Sequence, residues 1–164
     1  MSRNFKFHNP KGLYFSTFTV VEWLDVFTRN IYKDILLESL AYCQKEKGME
    51  IYSWVIMTNH VHLVFRSIGE IPPENILRDF KTHTSKAIIK AIKSNDKESR
   101  RDLLLEVFKR NGDKRSNAQT NQFWQHGNHP IEIWSNHIIA RKINYIHNNP
   151  TRQGFVLRGE DYVH

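Results

Sequence analysis

Two histidines, His60 and His62, stand at the start of an apolar run that ends at Phe65. A second apolar run, residues 54–57, precedes them, and a polar Thr-Asn pair separates the two runs, which is the pattern of a β-hairpin. Successive side chains of a strand point to opposite faces, so both imidazoles project from one face of this hairpin. Such a pair of imidazoles can chelate a divalent metal. The alternative is a pair of ordinary surface or hydrogen-bonded histidines.

A tyrosine near the C-terminus, Tyr145, is followed four residues later by Asn149, and Arg141 and Lys142 precede it. At 100° per residue these four side chains gather on one side of a helix. An apolar stripe lies roughly opposite and consists of Ile139, Ile143 and Ile146. A tyrosine between two cations and an amide has the surroundings of a nucleophile that attacks a phosphate. The alternative is a half-exposed aromatic residue that packs on Ile138.

The amide oxygen of Asn149 is a candidate third metal ligand beside His60 and His62. Asn148 is its rival, but it lies three residues after Tyr145 and points about 60° away from the tyrosine, so Asn149 is preferred. Two neutral imidazoles and an amide oxygen leave coordination positions for phosphate and water. This ligand set suits Mg²⁺ or Mn²⁺ acting as a Lewis acid, and Zn²⁺ can also bind.

The segments around these residues alternate between strands and helices. The sequence predicts a strand over 13–20, a helix over about 30–47 that Gly48 ends, a hairpin over 50–66, a helix from Pro72-Pro73-Glu74, a last strand, and a helix that Ser135 caps and Pro150 ends. The segment 94–122 breaks the apolar pattern apart from a short helical run, Leu103–Lys109. We expect it to be a loop or helical elaboration of a single domain spanning residues 1–164.

Basic and aromatic side chains outside the last helix are candidate nucleic-acid contacts. Lys81 belongs to a lysine-rich outer face of the second helix, for which the alternative is a solvated surface. Trp124 and His126 precede a Gly-Asn turn, where an aromatic ring can stack on an unpaired base. The alternative is that Trp124, Ile133 and Trp134 belong to the core, and Trp134 is the preferred core residue.

Composition restricts the partners and the compartment. Lys and Arg number 24 against 17 Asp and Glu, and the resulting net charge of +7 favours a polyanionic partner. The single cysteine, Cys43, excludes an internal disulfide and a cysteine-rich zinc site, which is typical of a reducing compartment. No apolar run approaches the roughly 18 residues of a membrane span, and the first residues lack an apolar secretory segment. These features predict a cytoplasmic protein without a membrane span.

The segments VIMTNHVHLVF and NYIHNNPTRQGFV together closely resemble the single-tyrosine HUH transposases of insertion-sequence type, especially the REP-associated tyrosine transposases. HUH denotes histidine, hydrophobic residue, histidine, which residues 60–62 match. The spacing of Tyr145 and Asn149 matches the family's nucleophile and third metal ligand. The resemblance covers roughly residues 15–156.

This resemblance implies an α+β fold, a ferredoxin-like βαββαβ sandwich with an antiparallel sheet, followed by a C-terminal helix that carries the tyrosine. It implies that Mg²⁺ or Mn²⁺ assists the cleavage of single-stranded DNA beside a hairpin. The products are a 5′-phosphotyrosine link at Tyr145 and a free 3′-hydroxyl, so strand transfer and DNA transposition can follow. The residues then expected to contact DNA are Arg141, Lys142, Arg152, Lys81, Trp124 and His126. The active unit is either a monomer or a homodimer that exchanges tyrosine helices.

Three other functions compete with this interpretation. A domesticated or inactive relative binds hairpin DNA without cutting it, although the intact His60, His62, Tyr145 and Asn149 argue against that. A relaxase-like or replication-initiator HUH nickase is expected to have a longer chain and often a second tyrosine. A metal protein without a nucleic-acid partner leaves the tyrosine and the net charge of +7 unexplained.

Overall fold

The computed structural model describes residues 6–114 and 121–164. The strands are β1 Leu13–Thr19, β2 Met49–Ile56, β3 His60–Ser67 and β4 Ile131–Ile133. The helices are α1 Asn30–Lys47, α2 Pro73–Ser94, α3 Arg101–Asp113 and α4 Asn136–Arg152, and short 3-10 helices cover Val21–Trp23 and Gly159–Asp161. Within these described ranges, no helix is both long and apolar enough to cross a membrane.

The four strands form one antiparallel sheet in the order β2-β3-β1-β4. Since α1 joins β1 to β2 and α2 joins β3 to β4, this is the predicted ferredoxin-like βαββαβ arrangement, and α4 follows it with the tyrosine. The helix α1 has the predicted bounds and ends at Gly48, whose φ is 67°. Glycine takes this left-handed conformation without strain, and a Cβ there would come within 2.8 Å of the Gly69 backbone.

The helices α1 and α2 cover one face of the sheet and enclose the larger of two apolar clusters. Alternate residues of β1 and β3 point into it, including Tyr14, Phe18, Leu63 and Phe65, none more than 1% exposed. From α2 the ring of Phe80 lies 5.8 Å from that of Phe18, measured between centroids. Large buried aromatic side chains of this kind supply most of the hydrophobic stabilisation of a small domain.

The segment 94–122 contributes a helix to this core. The predicted run Leu103–Lys109 lies within the longer α3, which buries Leu104, Val107 and Phe108. The Phe108 ring lies 5.1 Å from the ring of Phe123, so α3 joins the core directly before the last strand. Residues 115–120 of this segment lie outside the described residues.

A buried carboxylate, Glu98, fixes the start of this segment. It accepts hydrogen bonds from Arg29 Nε at 2.6 Å, from the Tyr32 hydroxyl at 3.2 Å and from the backbone N–H of Arg100 at 3.2 Å. Burial by itself raises the pKa of the Glu98 carboxyl, but Arg29 and Arg100 outweigh burial and lower it. The charged form is therefore stabilised where the chain turns from α2 into α3.

The helix α4 covers the opposite face of the sheet, where the apolar cluster is smaller. The buried members of this cluster are Phe15, Val55, Met57, Val64, Ile133 and Ile146. Ser135 caps α4 as predicted, since its hydroxyl accepts a hydrogen bond from the N–H of Ile138 at 3.3 Å. The helix does not end at Pro150 but continues to Arg152. Proline removes only one N–H donor, and the terminal turn tolerates that loss.

The orientation of α4 also differs from the predicted one. Of the stripe at 139, 143 and 146, only Ile146 is buried, whereas Asn149 and Pro150 are buried with it. The face of α4 that packs on the sheet is therefore not the predicted apolar stripe. It is rotated from that stripe toward the polar side, which carries Asn149. Tyr145 lies at the margin of this face and is 37% exposed.

Candidate functional site

The two histidines lie on the sheet face that receives α4, as strand alternation predicts. In the pairing of β1 with β3, Thr19 lies opposite His60 and Thr17 lies opposite His62. The two imidazole centroids are 4.7 Å apart, and the His62 ring stacks on that of Phe15 at 5.3 Å. Both histidines are at least nine-tenths buried. The hairpin thus presents two imidazoles side by side on a largely apolar surface.

Hydrogen bonds at Nδ1 orient both rings. His60 Nδ1 lies 2.7 Å from Oδ1 of Asn59, which can only accept, so His60 carries its proton on Nδ1. His62 Nδ1 lies 2.8 Å from the hydroxyl of Thr17. Nε2 of His62 is buried and has no hydrogen-bond partner among the described residues. A buried nitrogen without a partner beside a second oriented imidazole is the arrangement expected of metal-binding histidines, whose other nitrogen is held by a hydrogen bond.

Electrostatics keep these imidazoles neutral. Burial lowers the pKa of His60, and the nearby Asp25 carboxylate only partly opposes that effect. Burial also lowers the pKa of His62 to about 3, with further contributions from His60 and the Lys142 ammonium. A neutral imidazole has the free lone pair that a metal requires. The pair can therefore accept a cation at neutral pH without first losing protons.

Tyr145 of α4 lies against the second histidine. Its ring centroid is 5.2 Å from that of His62 and 6.0 Å from that of Phe15. The ring thus packs on the face of the sheet that carries the histidines, while its 37% exposure leaves part of it open to solvent. A phenol in this position can meet a ligand that enters from outside and reaches the imidazoles.

Positive charge accompanies the tyrosine. The Lys142 ammonium lies 4.2 Å from the Phe15 ring centroid and 5.9 Å from that of Tyr145. Burial lowers the pKa of Lys142, and the neighbouring Arg141 lowers it further. A groove of about 660 Å³ runs along this side of α4 and is lined by Ile138, Arg141, Lys142, Asn144, Tyr145, Asn148, Thr151 and Arg152. The structure therefore brings three of the predicted DNA-contacting cations together with the tyrosine.

The two asparagines that follow the tyrosine differ in burial. Asn149 is 4% exposed, and its Oδ1 accepts a hydrogen bond from Gln153 Nε2 at 3.3 Å. Asn148 is exposed, and its amide donates to the carbonyl of Asn144 at 2.8 Å. The described hydrogen bond of Asn149 is thus to Gln153 and not to an imidazole. In the described part of the chain, no three His, Cys, Asp or Glu side chains form a metal-binding group, so a metal here would need a ligand of another kind.

The remaining predicted DNA contacts, Lys81, Trp124 and His126, lie elsewhere. They line a second cleft, of about 580 Å³, between α2 and the segment that leads to β4. The Lys81 ammonium donates to the carbonyls of Gln125 and Gly127 at 3.0 and 3.1 Å. These hydrogen bonds hold the segment that leads to β4 against α2. Lys81 therefore stabilises the structure in addition to any contact with DNA.

The structure places Trp124 in the core, which does not favour the predicted stacking of its ring on DNA, and the preference for Trp134 as the core residue is wrong. Trp124 is 5% exposed, lies 5.8 Å from the Phe27 ring, and donates from Nε1 to the Thr84 hydroxyl at 3.0 Å. Trp134 is 80% exposed. Since β4 has only three residues, Trp134 falls beyond its end, whereas Trp124 pairs with Val20 at the end of β1.

Three side chains that orient the site are not among the residues predicted from the sequence: Phe15, Thr17 and Asn59. Asn59 directly precedes the histidine motif, so its position gave a usable signal. Phe15 and Thr17 lie more than forty residues from His62 in the chain and become its neighbours only through the pairing of β1 with β3. No local pattern marks them.

The sequence matches the family described as "Transposase IS200 like" over residues 17–104. This range is more than half of the chain and includes both histidines, and the chain belongs to this transposase family. Its assignment to DNA transposition follows from that membership. No curated protein matches the sequence.

Solved structures with a similar fold include two transposases. One is described as the structure of a REP-associated tyrosine transposase bound to a REP hairpin. It has 16% identity and a TM-score of 0.70, and the match covers 99% of this chain and 81% of the other. The second is a putative transposase from Deinococcus radiodurans R1, with 17% identity, a TM-score of 0.52, and coverage of 90% and 95%. At these identities the likeness concerns the fold.

Proposed function

We propose that this transposase cuts single-stranded DNA beside a hairpin and transfers the strand through a covalent link to Tyr145. The observation that carries the proposal is the contact of the Tyr145 ring with His62, 5.2 Å between centroids, at the edge of a groove lined by Arg141, Lys142 and Arg152. A nucleophile, a pair of neutral imidazoles and a basic surface are the three components that such a reaction needs. The hairpin bound to the similarly folded transposase supports hairpin DNA as the substrate.

The chemical step exchanges one phosphodiester for another. The Tyr145 oxygen attacks the scissile phosphorus and forms a 5′-phosphotyrosine, while the bond to the 3′ oxygen breaks. The phenol gives up its proton to solvent, and the departing 3′ oxygen takes one up. A second 3′-hydroxyl can attack the phosphotyrosine in the reverse sense, so strands are rejoined without ATP.

The cations of the groove lower the cost of this attack. The Lys142 ammonium lies 5.9 Å from the centroid of the Tyr145 ring, so a phosphate that meets the tyrosine also meets this positive charge. Arg141 and Arg152 can hold phosphates of the bound strand in the same groove.

The residues at the histidine pair fit a divalent metal, Mg²⁺ or Mn²⁺. His60 and His62 would hold it through Nε2, because their Nδ1 atoms are engaged by Asn59 and Thr17. The amide oxygen of Asn149 is the proposed third ligand. When bound, the metal supplies a Lewis acid for a phosphate oxygen. Asn59 and Thr17 orient the two imidazoles, and burial keeps both rings neutral.

Trapping of a covalent adduct tests the proposed function. The protein is incubated with Mn²⁺ and hairpin oligonucleotides from the DNA that flanks its own gene, and a protein–DNA adduct is detected on a denaturing gel. The wild type and the control Tyr42→Phe, which changes an exposed tyrosine of α1, should form the adduct. In Tyr145→Phe, the amount of adduct should fall by a factor of about a thousand or more, while the affinity for the hairpin persists. Cutting by Tyr145→Phe at the wild-type rate would mean that a water molecule is the nucleophile.

The alternative functions give different outcomes in the same experiment. A wild type that binds the hairpin in Mn²⁺ but forms no adduct is a DNA-binding relative without catalysis. An adduct that is formed but never rejoined to a second 3′-hydroxyl indicates a nickase. Transposition requires both the adduct and the joined product.

Calorimetric titration with Mn²⁺ tests the ligand set apart from activity. Asn149→Ala should weaken binding of the ion at least tenfold, because it removes a ligand from a small set. Asn148→Ala, which alters the neighbouring exposed amide, should leave the affinity unchanged. Equal losses in both variants would exclude Asn149 as the specific third ligand.

A further inference from the structure

A short loop between β1 and α1 brings an exposed tryptophan to the histidine pair. Trp23 lies in the 3-10 helix Val21–Trp23 and is 59% exposed. Its ring centroid is 6.4 Å from that of His60. The proposed chemistry of Tyr145 and the histidines does not use this residue. Its exposed indole ring is in a position to contact a ligand bound at the histidines.

The backbone of this loop is strained. Glu22 and Trp23 have φ values of 54° and 56°, in the left-handed region that non-glycine residues rarely adopt. Two successive bulky residues in this region persist only where their surroundings enforce them. Strain of this kind is concentrated at sites where a side chain must be presented in one direction.

Several contacts enforce the conformation. The Glu22 carboxylate accepts hydrogen bonds from Arg110 and Asn111 of α3, both at 2.8 Å. The Asn59 amide donates to the carbonyl of Trp23 at 3.2 Å, while its Oδ1 engages Nδ1 of His60. One asparagine therefore holds both the tryptophan loop and the first histidine, and α3 holds the loop from the other side.

The rings of the site form a continuous row. Trp23 is 6.4 Å from His60, His60 is 4.7 Å from His62, and His62 is 5.2 Å from Tyr145, measured between centroids. A strand whose phosphate lies at the tyrosine and the imidazoles therefore has an exposed indole at the far end of the row. The bases beside that phosphate are unpaired in single-stranded DNA and have free faces.

We propose that Trp23 stacks on an unpaired base of the DNA strand next to the phosphate that Tyr145 attacks. This inference rests on the proposed function and names a contact by which the strand is positioned. Stacking on an aromatic ring is independent of base identity, because every base has a π-face. The strained loop fixes the indole in advance, so little conformational freedom is lost on binding.

The test measures binding of a DNA hairpin with unpaired flanks of about ten thymidines on both sides, a length within the range of single-strand sites. A single abasic residue is moved along the flanks, and the affinities of wild type, Trp23→Ala and Trp23→Phe are measured by fluorescence anisotropy. Trp23→Ala should weaken binding about 5- to 150-fold, and Trp23→Phe should retain most of the affinity. Trp134→Ala, which removes another exposed indole, is the matched control and should bind like the wild type.

The abasic series identifies the stacked base. At one position the abasic residue should weaken wild-type binding by the same factor as Trp23→Ala, and it should have no further effect on that variant. Since Trp23 is exposed, its replacements should unfold at the wild-type temperature, which separates loss of a contact from loss of the fold.

Unchanged affinity of Trp23→Ala for every oligonucleotide overturns the inference and points to a protein partner for the exposed ring. Equal losses with Trp134→Ala overturn it as well, because the effect would then be common to exposed indoles. If Tyr145 still forms the adduct in either case, the proposed function stands without Trp23. A wild type that binds no hairpin overturns both.

Discussion

The two faces of the sheet have opposite compositions. Under α1 and α2, the face is filled by large apolar side chains such as Phe18 and Phe65, neither more than 1% exposed. Under α4, the apolar cluster has six buried members among the described residues, and His60, His62 and Asn149 are buried with it. Burial of polar groups costs free energy unless each finds a partner, yet Nε2 of His62 has no partner within residues 6–114 and 121–164.

Under the proposed function, this difference separates the residues that stabilise the fold from those that act on DNA. The α1/α2 face supplies the hydrophobic stabilisation, so the α4 face can carry oriented polar groups that contribute little to folding. The segment 94–122 serves both faces. Its helix α3 buries Leu104 and Phe108 in the main core, and its Arg110 and Asn111 hold the loop that carries Trp23.

The largest effect on stability is expected for Trp124→Ala in the main core. The variant removes a buried indole and its hydrogen bond to Thr84, so the free energy of unfolding should fall by about 3–5 kcal/mol. The exposed control, Trp134→Ala, should change it by less than about 0.5 kcal/mol. Chemical denaturation measures both. Similar values for the two variants would contradict the assignment of Trp124 to the core.

Glu98→Gln should have the next largest effect and should depend on pH. The variant breaks the buried ion pair with Arg29, whose side chain is 38% exposed, so we expect a loss of about 1–3 kcal/mol at pH 7. Because the folded pKa of Glu98 is lowered, its contribution is present above the unfolded pKa of about 4.3 and is lost as pH falls through the folded pKa.

Denaturation at a series of pH values measures this contribution. The difference between wild type and Glu98→Gln should shrink as the pH falls from about 7 to about 3. The matched control is Glu106→Gln, which changes an exposed carboxylate of α3 and should show no such difference. A difference that grows in acid would mean that the pKa of Glu98 is raised in the folded protein.

On the α4 face, Asn59→Ala should affect the metal more than the fold. It frees Nδ1 of His60 and releases the carbonyl of Trp23, so the affinity for Mn²⁺ should fall about tenfold to a hundredfold. Calorimetric titration measures the affinity. Thr58→Ala in the same turn should leave it unchanged, because Thr58 contributes its backbone carbonyl to the structure. Unchanged affinity in Asn59→Ala would show that His60 needs no orienting partner.

The smallest effect is expected for Lys142→Met. Removal of the ammonium near the Tyr145 ring should slow adduct formation about fivefold to tenfold, because the charge is partly screened by solvent. The long apolar stem is retained, so packing on Phe15 should persist. Lys45→Met, at a highly exposed position of α1, is the control for net charge. Rates of adduct formation measured with and without added salt should reveal the electrostatic origin.

Local patterns in the sequence determined the order of strands and helices and the direction of the key side chains. The period of two in β3 sets His60 and His62 on one face, and the four-residue spacing in α4 aligns Tyr145 with Asn149. Gly48 ends α1 because its left-handed backbone is an intrinsic property of glycine. These features depend on neighbours within a few residues, which the sequence displays directly.

Only the tertiary structure decided which side chains surround these groups. The contact of Thr17 with His62 spans 45 residues and depends on the register of β1 against β3. The burial of Trp124 and exposure of Trp134 depend on where a three-residue strand ends. Both tryptophans have the same intrinsic hydrophobicity, so composition cannot separate them. Their surroundings are fixed by packing between distant segments, and for that reason the rotation of α4 and the place of Trp23 beside His60 emerge only in the folded chain.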